Sequence, residues 1–221
     1  MGLNTKLLKT LFKALPSSCV WMFHHVTDCP AEQKSGCVLS TEQFEKLFGG
    51  KKAGDFASLY GVVRGKRKKI AVTFDDGLAD TYTIAYPFLK VKGIPFTVFV
   101  VTDFLDTPGY ITTEQLKEMS KDPLVTIGSH GVSHKILNKM SAQEQLHELS
   151  SSKKTLEEIL LTTVDLFAYS HGQYNKDTLI LLKKCGYSYA VTTSAKPLNI
   201  LTNKRFQIPR FNIDNKKFTN S

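Results

Sequence analysis

At 221 residues and 42% hydrophobic content, the chain is long enough for one domain with a substantial core, and no internal repeat, low-complexity stretch or linker divides residues 1–221. Its formal net charge of +9 favours anionic partners such as phosphorylated glycans or acidic lipid surfaces. Nucleic acid is disfavoured, because the basic residues show no aromatic interleaving and no binding-fold signature.

Residues 1–17 place Leu7, Leu8, Leu11, Phe12 and Leu15 at helical spacing, with Lys6, Lys9 and Lys13 between them. The lysines interrupt the apolar run and no small-residue cleavage site follows, so this is not a signal peptide of the usual kind. It is also too short and too charged to cross a bilayer. The expectation is a basic amphipathic helix packed on the domain, with a segment lying on a membrane surface as the alternative. The chain is accordingly expected in the cytoplasm, peripheral to a membrane at most. Cys19, Cys29, Cys37 and Cys185 lack zinc-knuckle spacing and read as reduced residues. A Cys29–Cys37 disulfide is the alternative for an exported chain.

Downstream, strands and helices alternate, which argues for parallel βαβ units. A strand over 20–26 precedes a helix over 41–48. The basic run Arg64-Gly65-Lys66-Arg67-Lys68-Lys69 reads as a solvated loop leading into a strand over 69–74. A helix over 79–91, a strand over 96–101 and a short helix from 112 follow, with Thr113 and Glu114 as acceptable first-turn residues. A strand over 124–128 precedes a long helix over 141–161. Further strands are expected over 166–169, 189–193 and 207–210, with a helix over 176–185 between the first two.

Chemistry concentrates where two of these strands end. Thr73-Phe74-Asp75-Asp76-Gly77 puts two carboxylates side by side at a strand terminus. Side chains alternate along a strand, so neighbouring aspartates converge only where the strand breaks, and Gly77 offers the backbone freedom for that break. Two close anions raise each other's pKa unless a cation or a shared proton compensates, so the motif asks for a metal. Some fifty residues on, Ser129-His130-Gly131-Val132-Ser133-His134 follows another apolar strand. His130 and His134 are spaced so that one helical turn would put both rings on one face. Two imidazoles and one carboxylate from the first motif make a His₂Asp set with a coordination position open for water, the pattern of a catalytic zinc site. A solvated turn and a solvated helix start are the bland readings of the two motifs taken singly; their joint occurrence after two strands argues against both.

Thr-Phe-Asp-Asp-Gly followed by Ser-His-x-x-Ser-His resembles the first two motifs of the polysaccharide deacetylases (carbohydrate esterase family 4). Phe167-Ala168-Tyr169-Ser170-His171-Gly172-Gln173-Tyr174-Asn175 is similar to the Phe-x-Tyr-Pro-x-Gly-x-Tyr-Asn segment of one branch of that family, with Ser170 where proline is expected. Trp21-Met22-Phe23-His24-His25-Val26 and Ile208-Pro209-Arg210 look like the opening and closing strands of the same branch. The resemblance covers roughly residues 18 to 214. It implies an α/β fold, a distorted (β/α) barrel of about seven parallel strands with its function at the strands' carboxyl ends. It also implies removal of an N-acyl group from an amino sugar with a divalent metal, zinc first, with cobalt, nickel or manganese as alternatives.

By the same resemblance Asp76, His130 and His134 hold the metal and Asp75 is the general base, accepting the proton of a metal-activated water. Ser129 and Ser133 are expected to hold the histidine loop by local hydrogen bonds. The acid is open: no histidine follows His171, so the late Leu-x-His motif of better-known members has no counterpart. His25, taken to face the mouth at the end of the first strand, and His171 rank above His24, which alternation would turn away. No arginine occupies the position many relatives use to orient the base, and Arg210 is the substitute, or a substrate contact, or a surface salt bridge. Tyr169 and Tyr174 are candidate sugar-binding aromatics, although core packing suits at least one of them. The expected substrate is an amino sugar of a cell-surface glycan or of its lipid-linked or nucleotide-linked precursor. A deformylase of a lipid-linked amino sugar and an inactive glycan-binding relative are the alternatives.

Overall fold

The computed structural model describes residues 18–29, 37–198 and 204–214. The expected helix over 1–17 and most of the 29–37 connection lie outside the described residues. Seven parallel strands form one curled sheet in the order β8-β7-β6-β5-β4-β1-β9. They are β1 (Cys19–Phe23), β4 (Ile70–Phe74), β5 (Phe96–Val100), β6 (Val125–Ser129), β7 (Leu166–Ala168), β8 (Tyr189–Val191) and β9 (Phe211–Asn212). A small parallel pair, β2 (His25–Val26) and β3 (Val38–Leu39), stands apart at the end of β1. The helices are α1 (Thr41–Phe48), α2 (Leu59–Val63), α3 (Tyr86–Val91), α4 (Thr113–Ser120), α5 (Ala142–Leu160) and α6 (Lys176–Lys184).

Local sequence explains most helix starts. Ser40 with Gln43, Thr112 with Gln115, Ser141 with Glu144 and Asn175 with Thr178 each form a reciprocal capping box. Such boxes satisfy two backbone N–H groups that the first turn leaves unpaired. The stretch before α3 departs from the expected continuous helix: Thr81–Ala85 is a π-helical turn. Residues 207–210 depart as well. Ile208 bridges to Val191 of β8 and Phe211 pairs with Trp21 of β1, so the segment crosses from one edge of the sheet to the other and closes the barrel.

Two apolar layers follow from strand alternation. Trp21 and Phe23 pack outward on Phe44 and Phe48 of α1. Val20, Ala71, Phe99, Leu166, Ala168, Val191 and Ile208 fill the barrel interior, which Leu59, Val62 and Val63 of α2 plug at the strands' amino ends. Gly128 makes room for this interior: a Cβ there would lie 2.6 Å from the Phe99 ring. Gly128→Ala is therefore expected to cost about 1–3 kcal/mol through overpacking, measured as a lower denaturant midpoint at unchanged slope. Among the described residues no helix is long and apolar enough to cross a membrane, and the four cysteines are free.

Candidate active site

Alternation carries the inward face of each strand up to the mouth. On β4 Ala71 and Thr73 point inward and Asp75 continues that face, 2% exposed. The Asp75 N–H still donates to Phe23 O at 3.0 Å, so the strand ends on it. Asp76 then takes φ 72° and Gly77 φ 74°. The break therefore begins one residue before the glycine, in a backbone region that non-glycine residues adopt at a cost of about 1–3 kcal/mol. That turn lets consecutive carboxylates face one site.

The second motif is a loop, not the expected helical turn. Gly131 has φ 84° and His134 φ 59°, and no helix is formed over 130–134. Glu148 of α5, 4% exposed, shapes this loop. Its carboxylate accepts the N–H of Val132 at 2.7 Å and of Ser133 at 3.0 Å, and the Ser133 hydroxyl as well. Ser129 Oγ accepts the Gly131 N–H at 3.2 Å. The serines thus hold the loop, together with a glutamate that the sequence did not single out. A Cβ on Gly131 would come within 2.8 Å of the Glu148 carboxylate.

The loop brings the His130 and His134 rings to a centroid distance of 4.9 Å. His130 Nδ1 lies 2.8 Å from Ala168 O, a contact that requires the proton on Nδ1 and leaves the Nε2 lone pair facing the site. His130 Nε2 and His134 Nε2 stand 3.4 and 3.3 Å from Asp76 Oδ1, and the three donor atoms lie within 4.8 Å of one another. Those separations are too long for good hydrogen bonds, and Asp76 Oδ1 is buried with no hydrogen-bond partner among the described residues. The two distances from Asp76 Oδ1 match the edge of a tetrahedron: ligands bound at about 2.0–2.1 Å to one zinc ion stand about 3.3–3.4 Å apart. Donor chemistry, tautomer, spacing and the orphaned oxygen all fit a divalent cation. Burial works to raise the Asp76 pKa, but His130 and His134 beside it hold the carboxyl well below the usual range.

Arg210 is wholly buried, which overturns both the surface salt bridge and the substrate contact. Its two terminal nitrogens donate to Asp75 Oδ1 and Oδ2 at 2.7 and 2.6 Å. Nη1 also donates to Thr73 Oγ1 at 3.1 Å and Nε to Thr192 O at 3.0 Å. The guanidinium carbon lies 5.6 Å from the Phe99 ring centre. Burial pushes the Asp75 pKa up, yet the charges of Arg210 and His130 outweigh it and keep the carboxyl below its ordinary value.

The histidine order also changes. Since Trp21 and Phe23 face outward, His24 is the residue that turns toward the mouth, while His25 Nδ1 pairs with Asp80 Oδ2 at 2.7 Å. His24 Nδ1 is buried with no hydrogen-bond partner among the described residues. Burial lowers the His24 pKa, and the charges of Asp75 and Asp76 oppose that shift without cancelling it. His171 is exposed at the rim with φ 55°, its ring 4.9 Å from that of His134. Tyr169 is 0% exposed and its hydroxyl donates to Phe206 O at 2.9 Å, so it is core and not a sugar platform. Tyr174 stacks on it at 4.5 Å and is partly buried.

Comparison with known proteins places the family and the fold. The family model for polysaccharide deacetylase matches residues 63–190. A poly-beta-1,6-N-acetyl-D-glucosamine N-deacetylase of Staphylococcus aureus (strain MRSA252) is 30% identical over 175 residues, 72% of this chain and 60% of that protein. YxkH of Bacillus subtilis (strain 168), whose name carries the same family, is 36% identical over 126 residues, 57% of this chain and 45% of its own length. The chain thus spans less than two thirds of the length of these curated relatives. Of solved structures, IcaB from Ammonifex degensii superposes with a TM-score of 0.82 at 22% identity, over 93% of this chain and 95% of that one. Streptococcus pyogenes deacetylase PplD superposes at 0.78 and 24% identity, over 92% and 96%. At such identities these two show the fold, a distorted barrel. The chain belongs to the polysaccharide deacetylase family.

Proposed function

We propose that the chain is a metal-dependent hydrolase that removes the N-acetyl group from N-acetylglucosamine units of a glycan. The observation that carries this reading is the convergence of Asp76, His130 and His134 on one point beside a buried, arginine-held Asp75. The family assignment supports a carbohydrate deacetylase, and the name of the staphylococcal relative supports N-acetylglucosamine as the sugar.

Asp76, His130 and His134 would hold the cation, through Oδ1 and the two Nε2 atoms. When bound, a divalent ion supplies Lewis-acid chemistry, acidifying water and polarising the acyl carbonyl. Asp75 accepts the proton of the attacking water, and its ionised state is secured by the Arg210 fork. Arg210 also fixes the rotation of that carboxylate, so its basic lone pairs keep one direction. His24, in the imidazolium form that the charges of Asp75 and Asp76 favour against burial, donates its proton to the departing amine, whose unprotonated anion is a very poor leaving group, and returns to neutral imidazole. The Glu148 clamp keeps the His134 ring at its station while substrate enters.

The test is acetate release from β-1,6-linked N-acetylglucosamine oligomers, with formate release from N-formyl sugars and hydrolysis of lipid-linked and nucleotide-linked amino sugars as comparison arms. Acetate is expected to dominate. His24→Ala is expected to lower kcat by about 10²–10⁴-fold, the range for a lost proton-transfer group, and His25→Ala by far less. Equal losses in the two variants would remove His24 from the role of acid. No hydrolysis of any arm with metal supplied would leave a glycan-binding relative as the reading.

A further inference from the structure

The end of the barrel opposite the mouth carries features that the chemistry above does not use. In a parallel barrel that end is built from the loops running out of each helix into the next strand. Lys66, Arg67 and Lys68 lead into β4, Lys92 into β5, Lys121 into β6 and Lys184 into β8, and all six are exposed. Among the described residues none of them is in an ion pair. Asp75, Asp76, Asp80, Asp103 and Asp106 instead follow their strands, at the mouth. Asp122 and Asp165 also lead into strands at the closed end, but Asp122 pairs with Lys90 at 3.2 Å and Asp165 accepts the Tyr60 hydroxyl, so the six cations there are left unpaired among the described residues.

Two large apolar side chains project from the same end. Val91, the last residue of α3, is 89% exposed, and Leu161, which ends α5, is 90% exposed. Leu161 has φ 54°, a conformation in which glycine is the usual helix terminator. A leucine there serves neither the turn nor the core. Ser18 lies at this end too, its Oγ accepting the Lys69 N–H at 3.1 Å and donating to Lys66 O at 2.5 Å.

We propose that the closed end of the barrel docks on an anionic lipid surface. The lysines and arginine face lipid phosphates, Val91 and Leu161 enter the boundary between headgroups and acyl chains, and the mouth faces away from the bilayer. Charge alone would suit any polyanion. The exposed apolar side chains among the charges favour lipid, because only a bilayer offers apolar burial alongside phosphate.

The experiment uses the full chain with phosphatidylcholine vesicles, with and without phosphatidylglycerol, read by co-sedimentation. Binding is expected only with phosphatidylglycerol and is expected to weaken as salt rises. The combined variant Arg67→Glu, Lys68→Glu, Lys92→Glu, Lys121→Glu is expected to bind at least about tenfold more weakly at an unchanged melting temperature. Lys139→Glu with Lys176→Glu, at the mouth end, is expected to bind as the parent does. Leu161→Trp is expected to shift its emission to the blue on phosphatidylglycerol vesicles, read as the difference from the parent, whose sole tryptophan, Trp21, is buried and emits alike with and without vesicles. Absence of binding overturns the proposal. So does undiminished binding of the combined variant, which would assign attachment to residues 1–17 alone. An unmoved Leu161→Trp emission, with affinity for soluble polyphosphate equal to that for vesicles, overturns it in favour of a dissolved polyanion. Hydrolysis of soluble oligomers is independent of all these outcomes.

Discussion

Asp75→Asn is expected to lower kcat by about 10²- to 10⁴-fold while leaving divalent-metal uptake at the parent's stoichiometry and within a few-fold of its affinity. The asymmetry follows from the geometry. Both Asp75 oxygens are engaged by Arg210, whereas Asp76 Oδ1 is the oxygen that faces the two imidazoles. Asparagine keeps the shape of the side chain and one acceptor for the guanidinium, trades the other for an amide N–H, and cannot take a proton at neutral pH. Kinetics on N-acetylglucosamine oligomers together with equilibrium dialysis of the same preparation measure both quantities. Matching loss of metal in Asp75→Asn and in His134→Ala would show that the roles of the two aspartates are reversed.

Arg210→Met should be the most destabilising single change at the site, by about 3–5 kcal/mol, because it strands a buried carboxylate without its partner. The pH dependence has a definite sign. Folding depresses the Asp75 pKa, with Arg210 and His130 outweighing burial. The stability contributed by the pair is therefore fully present above the unfolded carboxylate value of about 4 and is lost as pH falls through the lower folded value. In the variant burial acts unopposed by the guanidinium, so the gap between parent and variant should be widest above about pH 4 and narrow below it. Urea melts at several pH values read this directly. A gap that stays constant from neutral pH to pH 3 would mean that the charge pair contributes through packing alone.

The cluster of Asp76, His130 and His134 was legible in the sequence because adjacent carboxylates and a histidine pair, each just past an apolar strand, are hard to explain by folding. The direction of side chains was not. In β1 every residue from Cys19 to Phe23 is buried, and a strand covered on both faces has no polar side to fix its parity. Only the packing of Trp21 and Phe23 on α1 shows that His24, not His25, turns toward the mouth. Tyr169 fell to the same ambiguity, since β7 is also buried throughout and its outward face leads Tyr169 into the layer beneath α5 and α6. The spacing of His130 and His134 suggested a helix; the left-handed backbone at Gly131 and His134 brings the rings together by another route. Glu148 gave no signal, because an acidic residue on an amphipathic helix ordinarily faces water. Arg210 was readable as a stand-in for a missing arginine only through the family resemblance, as its partner lies far away in sequence and meets it across the closing seam.

Metal titration of chelator-treated protein, followed by isothermal calorimetry and acetate release on the same samples, tests the central claim most directly. The account predicts uptake of one zinc ion per chain, loss of that uptake in His134→Ala, and hydrolysis that returns in proportion to the ion bound. Full hydrolysis by metal-free protein, or no stoichiometric uptake by the folded chain, would contradict it.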